Sequence, residues 1–206
     1  LYQRAVEMGM PYIYFGETGG GRIPDLIGSE GISDAMPSPD IAARRRKIPM
    51  ATVIVGQSFG GSSFQSAFSD YTVQVRGSVL AVTSPRVFEI VTGEVIGFEE
   101  LGGVDVHAKL TGQIDLGVDT YDEAYDAVRR WLSYLPSNAW SVAPRGEPMA
   151  KGRWDRDEAL AAMVPEARRR GYDMRKFCAA LLDPGSFFEL QPKFARNLTT
   201  GLGRLD

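Results

Sequence analysis

Twice in this chain a run of apolar, aromatic or β-branched residues breaks directly into glycines: PYIYFGETGGGR at residues 11–22 and MATVIVGQSFGG at 50–61. A strand that ends in adjacent glycines is bending sharply or leaving room for something to approach the backbone closely. The second run continues as SSFQSAFSD, small and apolar residues that suit a helix, so the order is strand, glycines, helix. Further strands are expected at YTVQV (71–75), SVLAVT (78–83) and QIDLGV (113–118), the first with alternating polarity. Helices are expected at Leu1–Met8, at 37–47 behind Ser38, at 84–95 behind Ser84 and Pro85, and at 120–135. The last of these has the clearest signals, with Thr120 and Glu123 as a capping box and apolar residues at Ala124, Ala127, Val128, Trp131, Leu132 and Leu135. Strands alternating with helices give an α/β fold, and such folds bind ligands at the carboxyl ends of their strands. Both glycine loops lie there.

Periodicity fails over 136–154, PSNAWSVAPRGEPMAKGRW, and helical patterns resume at 155–164 and 174–182. The expected organisation is a domain over 1–140, a linker over 141–155 and a helical segment over 156–206. The chain starts at Leu1 inside a helical pattern and stops at GLGRLD, so a piece truncated at both ends is expected.

Composition removes several kinds of chemistry. Lys and Arg number 23 against 26 Asp and Glu, a net charge of -3 that leaves no basic footprint for nucleic acid. The basic clusters ARRRK (43–47) and EARRRG (166–171) read as solvated helix faces. No run approaches the ~18 apolar residues of a membrane span. His107 is the single histidine and Cys178 the single cysteine, so no imidazole cluster, cysteine pair or metal site is expected. The lone cysteine points to a reducing compartment. The phosphate-loop pattern is missing, and the spacing of GETGGGR is not a dinucleotide fingerprint. What remains is backbone chemistry. N–H groups at a glycine turn and a helix start point outward unpaired, and two converging on one oxygen make an oxyanion hole. On spacing alone, Gly60–Gly61 fits that role and a tight helix–strand packing point equally well.

The run VIVGQSFGGSSFQSAFSDYTVQVRGSVLAVTSPRVFEIVTGE, followed by EELGGVDVHAKLTGQID and LSYLPSN, resembles the carboxyltransferase β-subunit of biotin-dependent acyl-CoA carboxylases. ETGGGRIPD is similar to that family's Asp-Ser-Gly-Gly-Ala-Arg loop, HAKLTG to its His-x-x-x-Ser-Gly segment, and the motifs come in the family's order along the whole chain. The resemblance implies a crotonase/ClpP-like spiral of β-β-α units, most of the first of two such domains, with a small helical C-terminal appendage leading to the second. It implies that the amides of Gly60 and Gly61 hold the thioester oxygen as an acyl-CoA becomes its enolate. Gly19, Gly20, Gly21 and Arg22, with Ser58 and Phe59, would bind the substrate. Biotin, carried by a partner carrier or biotin carboxylase subunit, would bring the carboxyl group and take the proton. The implied assembly is a homo-oligomer, typically hexameric, in the cytoplasm, or in the mitochondrial matrix of a eukaryote. Glu17-Thr18 replaces the family's Asp-Ser, Gly21 its Ala, and Pro24 stands where many members have a Gln-Glu pair, which leaves the acyl group open. The alternatives are a decarboxylase running on the same enolate and an assembly domain without activity. His107 is expected to be a loop-fixing histidine, and Cys178 a core residue.

Overall fold

The two strands that run into glycine are parallel neighbours. The computed structural model of the chain describes residues 1–20, 47–146, 157–167 and 169–205. Gly21, Arg22, the helix expected over 37–47 (but for Lys47) and residues 147–155 of the expected linker lie outside them. In chain order the elements are α1 (Tyr2–Glu7), β1 (Tyr12–Thr18), β2 (Met50–Phe59), α2 (Gly61–Phe68), β3 (Tyr71–Val75), β4 (Val79–Ala81), α3 (Pro85–Thr92) and α4 (Phe98–Gly102). A helical turn at Val104–Val106 then widens into a π-helical turn at His107–Thr111. It is followed by β5 (Leu116–Val118), α5 (Tyr121–Leu132), α6 (Asp157–Met163), α7 (Met174–Leu181), β6 (Phe188–Leu190) and β7 (Thr200–Leu202).

Strand β2 is the hub of a parallel sheet. It pairs with β1 from Tyr12↔Met50 to Gly16↔Ile54 and, after an irregularity, at Thr18↔Ser58. On its other partners it pairs first with β3 and then with β4. Tyr71 lies opposite Ala51 and Val79 opposite Gln57, so eight residues of one course face six of the other. The excess is taken up at the turn containing Gly77, whose φ is +85°. β3 and β4 are thus two segments running the same way along β2. The turn GQSFGG was expected to begin at Gly56; instead the strand carries on to Phe59, because Gln57, Ser58 and Phe59 find ladder partners in β4.

Parallel strands require a crossover and cover on both faces. The crossover from β2 to β3 is α2. On one face, Ala51, Val53, Tyr71, Val73 and Val75 pack against Ala124, Ala127, Val128 and Trp131 of α5. The other face puts Ile54 among Leu80, Val104, Ala108 and Ile114. The capping box read from the sequence is formed: the Glu123 N–H donates to Thr120 Oγ1 at 3.2 Å and the Thr120 N–H to Glu123 Oε2 at 3.3 Å.

The C-terminal segment corrects the expectation of helices alone. α6 and α7 are present, but β6 and β7 add an antiparallel hairpin, and its Phe188 joins the core beside Tyr71. The hairpin is held by groups distant in sequence. Arg175 of α7 pairs with Glu189 at 2.6 Å, and the Gln191 side chain donates to the carbonyl of Gly112 at 2.8 Å. Three-residue strands with such partners leave no periodic trace.

Asp115 shortens β5 relative to the expected 113–118 by exchanging bonds with the start of β3. Its carboxylate accepts the Thr72 N–H at 2.8 Å, and its own N–H donates to the Thr72 carbonyl at 2.8 Å. Burial pushes its carboxyl up from 3.8 to about 6, with the Thr72 N–H opposing and the Asp70 charge adding to the shift. A folded pKa above the unfolded one means that ionisation costs stability. That cost is absent below about pH 4 and complete above about pH 6. Asp115→Asn, which stays neutral and can still accept from Thr72, is therefore expected to compare better with the wild type at pH 7 than at pH 4. Urea denaturation at the two pH values checks this.

Candidate active site

The register of β1 against β2 sets the site. Because Thr18 lies opposite Ser58, Gly19 and Gly20 leave β1 beside Phe59 and Gly60 of β2, and both glycine loops emerge at one edge of the sheet. Gly60 has φ +61° and ψ -119°, a conformation strained for a residue with a Cβ. It turns the chain from β2 straight into α2 and caps that helix. Its carbonyl accepts from the N–H groups of Ser63 and Phe64 at 3.0 and 3.3 Å and from the Ser63 hydroxyl at 2.7 Å.

The amides of the two glycines have different fates. The Gly60 N–H donates to the Val82 carbonyl at 3.1 Å, which ties the turn to the end of β4 and commits that donor. Gly61 is the first residue of α2, where a helix leaves its N–H groups unpaired. Its N–H has no hydrogen-bond partner among the described residues. In the first loop the Gly20 N–H donates to Thr18 Oγ1 at 3.2 Å, while Gly19 has no such bond among the described residues. Gly21 and Arg22 lie outside them.

Ser58 and Phe59, expected at the substrate, are both buried. Ser58 is fully buried; its hydroxyl donates to the Gly16 carbonyl at 3.0 Å and accepts from Ser62 Oγ at 3.3 Å. A Cβ on Gly16 would stand 2.6 Å from Ser62 Oγ, so a glycine is needed where α2 crosses β1. Phe59 is 4% exposed and stacks on Phe98 with centroids 6.3 Å apart. These residues hold the turn from beneath.

Beside the start of α2 lies a cavity of about 390 Å³, lined among others by Ser63, Phe64 and Ala67 of α2, Val82, Leu101 and His107. No Asp, Glu, Lys or Arg lines it among the described residues. Its polar lining residues are Ser63, Thr83, His107 and Gln113, of which Ser63 is engaged with Gly60 and His107 with β4. His107 Nε2 lies 2.7 Å from the Leu80 carbonyl and must donate to it, which leaves Nδ1 to accept from the Thr111 hydroxyl at 3.0 Å. Burial pulls the imidazole pKa down, and the bond to Leu80 works against that shift. His107 fixes β4 to the π-helical turn, the loop-fixing part expected of it. Phe64, Ala67 and Leu101, which line the cavity, were not expected there from the sequence. The spacing of Ser63 and Ala67 on one helix face was the signal available for α2.

The arrangement offers a carbonyl oxygen an unpaired backbone donor at a helix N-terminus, where the helix dipole favours negative charge. Next to it is an apolar cavity without a side-chain base. Among the described residues no group of three or more His, Cys, Asp or Glu could hold a metal ion, and no helix is long and apolar enough to cross a membrane.

The family model for the carboxyl transferase domain matches residues 1–206. The chain belongs to the carboxyl transferase domain family. Among its relatives, the carboxyltransferase subunit of propionyl-CoA carboxylase from Haloferax mediterranei is 36% identical, and the match takes in 100% of this chain and 40% of that protein. The β5 subunit of a biotin-dependent acetyl-/propionyl-CoA carboxylase from Mycobacterium leprae is 34% identical, over 100% and 39%. A crystal structure of the hexameric transcarboxylase 12S core with hydrolysed methylmalonyl-CoA bound superposes with a TM-score of 0.84 at 28% identity, covering 99% of this chain and 40% of that one. This carboxyl transferase domain therefore spans about 40% of the length of these relatives. Its fold is the crotonase-like α/β one expected from the sequence.

Proposed function

We propose that this carboxyl transferase domain is the acyl-CoA-binding part of the carboxyltransferase of a biotin-dependent acyl-CoA carboxylase. The observation that carries the reading is the unpaired Gly61 N–H at the start of α2, next to an apolar cavity with no carboxylate lining it. Catalysis by such a site consists of holding the thioester oxygen as negative charge develops on it. Gly61 is the donor in place of the Gly60–Gly61 pair, and Gly60 fixes the turn through Val82. The second donor is the Gly19 N–H of the neighbouring loop, which has no hydrogen-bond partner among the described residues. Val82, Phe64 and Leu101 exclude water from the reacting carbon.

Biotin, carried by a separate protein or domain, supplies the activated carboxyl group when bound. This chain's part is to bind and polarise the thioester. The biotin carrier or biotin carboxylase subunit is the expected partner. Further copies of the chain are also expected, in keeping with the hexameric transcarboxylase 12S. The cytoplasm suits the single cysteine.

Calorimetric titration with acetyl-, propionyl- and branched acyl-CoA thioesters tests the reading. Saturable binding of a thioester, with free CoA bound more weakly, is expected. No binding of any thioester by the folded chain would overturn it.

A further inference from the structure

We infer that the cavity beside α2 is an acyl-chain pocket that selects medium-length substrates, of about eight carbons, over propionyl-CoA, with Ala67, Phe64 and Leu101 setting its reach. This inference rests on the proposed function, since it takes the thioester to lie at Gly61.

The geometry argues from the helix outward. Ser63, Phe64 and Ala67 follow Gly61 along α2 and line the cavity, as does Val82, whose carbonyl accepts the Gly60 N–H, so the cavity lies along the first turns of the helix that Gly61 begins. An acyl group whose carbonyl sits at Gly61 has that cavity next to it. Leu101 lines it from α4, and Val82 from the residue that fixes Gly60. No charged side chain lines it among the described residues, so it offers a carboxylated chain end no counter-charge, and Thr83 and Gln113 are the polar side chains left among mainly apolar walls. An apolar chain loses nothing there and gains burial.

Size selects the length. The cavity is about 390 Å³. At roughly 30 Å³ per methylene-sized group, comparable to a water molecule's share of the liquid, three carbons fill about a quarter of it. Eight fill roughly 60% of it, so a chain of that length is accommodated and covers most of the wall. A propionyl group would leave most of the apolar wall uncovered. Each further buried methylene is worth roughly a fourfold gain in affinity.

The position of Ala67 makes the cavity adjustable. It is an alanine on the exposed side of α2, so a larger side chain there enters the cavity from the helix surface and leaves the core under β2 in place. Ala67→Phe fills the space that an acyl chain beyond three carbons would take.

The experiment titrates the chain with propionyl-, hexanoyl- and octanoyl-CoA, then repeats the series with Ala67→Phe and with the smaller change Ala67→Leu. The expected result is octanoyl-CoA bound at least ten times more tightly than propionyl-CoA by the wild type. The preference should shrink about tenfold in Ala67→Phe and by less in Ala67→Leu. Equal affinity across the wild-type series overturns this inference and leaves the acyl-CoA reading standing. So does an unchanged octanoyl-to-propionyl ratio in both folded variants. Binding of none of the three thioesters removes the proposed function and this inference with it.

Discussion

Replacing Gly61 with proline is expected, on the proposed function, to lower carboxyl transfer by the complete enzyme roughly 10²- to 10³-fold, the usual effect of removing one oxyanion donor, while the fold stays in place. Gly61 is the first residue of α2, the one helical position where proline's missing N–H and fixed φ are tolerated. The residue before a proline is normally driven to extended backbone. Gly60, at φ +61° and ψ -119°, is the mirror image of such a conformation, which an achiral glycine adopts as readily. The substitution therefore deletes one donor and little else. Gly61→Ala keeps the N–H and serves as the comparison, so a rate loss confined to the proline variant assigns the effect to hydrogen bonding. Rates with a carboxybiotin donor, alongside circular dichroism and thermal unfolding, check it. A proline variant that folds and turns over like the wild type would remove Gly61 from the mechanism.

Trp131→Ala is expected to cost about 3–5 kcal/mol of folding stability, much of the ~5–15 kcal/mol a domain usually has. Trp131 is 4% exposed on the inner face of α5. Its ring lies nearly parallel to Tyr71 of β3, with centroids 5.7 Å apart and planes at 12°. Tyr71 in turn meets Phe188 edge-on at 5.4 Å, and Phe188 stacks on Tyr134 at 5.8 Å. Removing the indole opens a cavity where helix, sheet and C-terminal hairpin meet, so part of the loss should appear as loosening of β6 and β7. Urea denaturation gives the stability, and amide exchange at Phe188–Leu190 the loosening. Trp140→Ala is the control: that ring is 76% exposed, and its loss should change stability by no more than about 0.5 kcal/mol.

The elements with strong local signals were legible in the sequence. The Thr120–Glu123 box announced α5, Ser84 and Pro85 announced α3, and the alternating run YTVQV announced β3. The family motifs then supplied the crotonase-like spiral, which periodicity could not. Non-local features were hidden. Nothing in GQSFGG tells that Gln57, Ser58 and Phe59 will find β4, so the strand's length and the burial of Ser58 and Phe59 had to come from pairing. The Gly60 and Gly61 amides look alike in sequence. Only the approach of the Val82 carbonyl, delivered by a strand some twenty residues later, separates the bound donor from the free one. The β6–β7 hairpin depends on Arg175, Gln191 and Gly112, contacts too far apart along the chain to leave a pattern.

The most direct measurement is the infrared carbonyl band of a ¹³C-labelled propionyl-CoA thioester bound to the wild-type chain and to Gly61→Pro. A hydrogen bond from the Gly61 N–H draws electrons toward the thioester oxygen and weakens the C=O bond. The expected result is a band below that of the free thioester in the wild type, moving back toward the free position in the proline variant. The same bound band in both proteins, with both folded, would contradict the claim that Gly61 holds the oxygen.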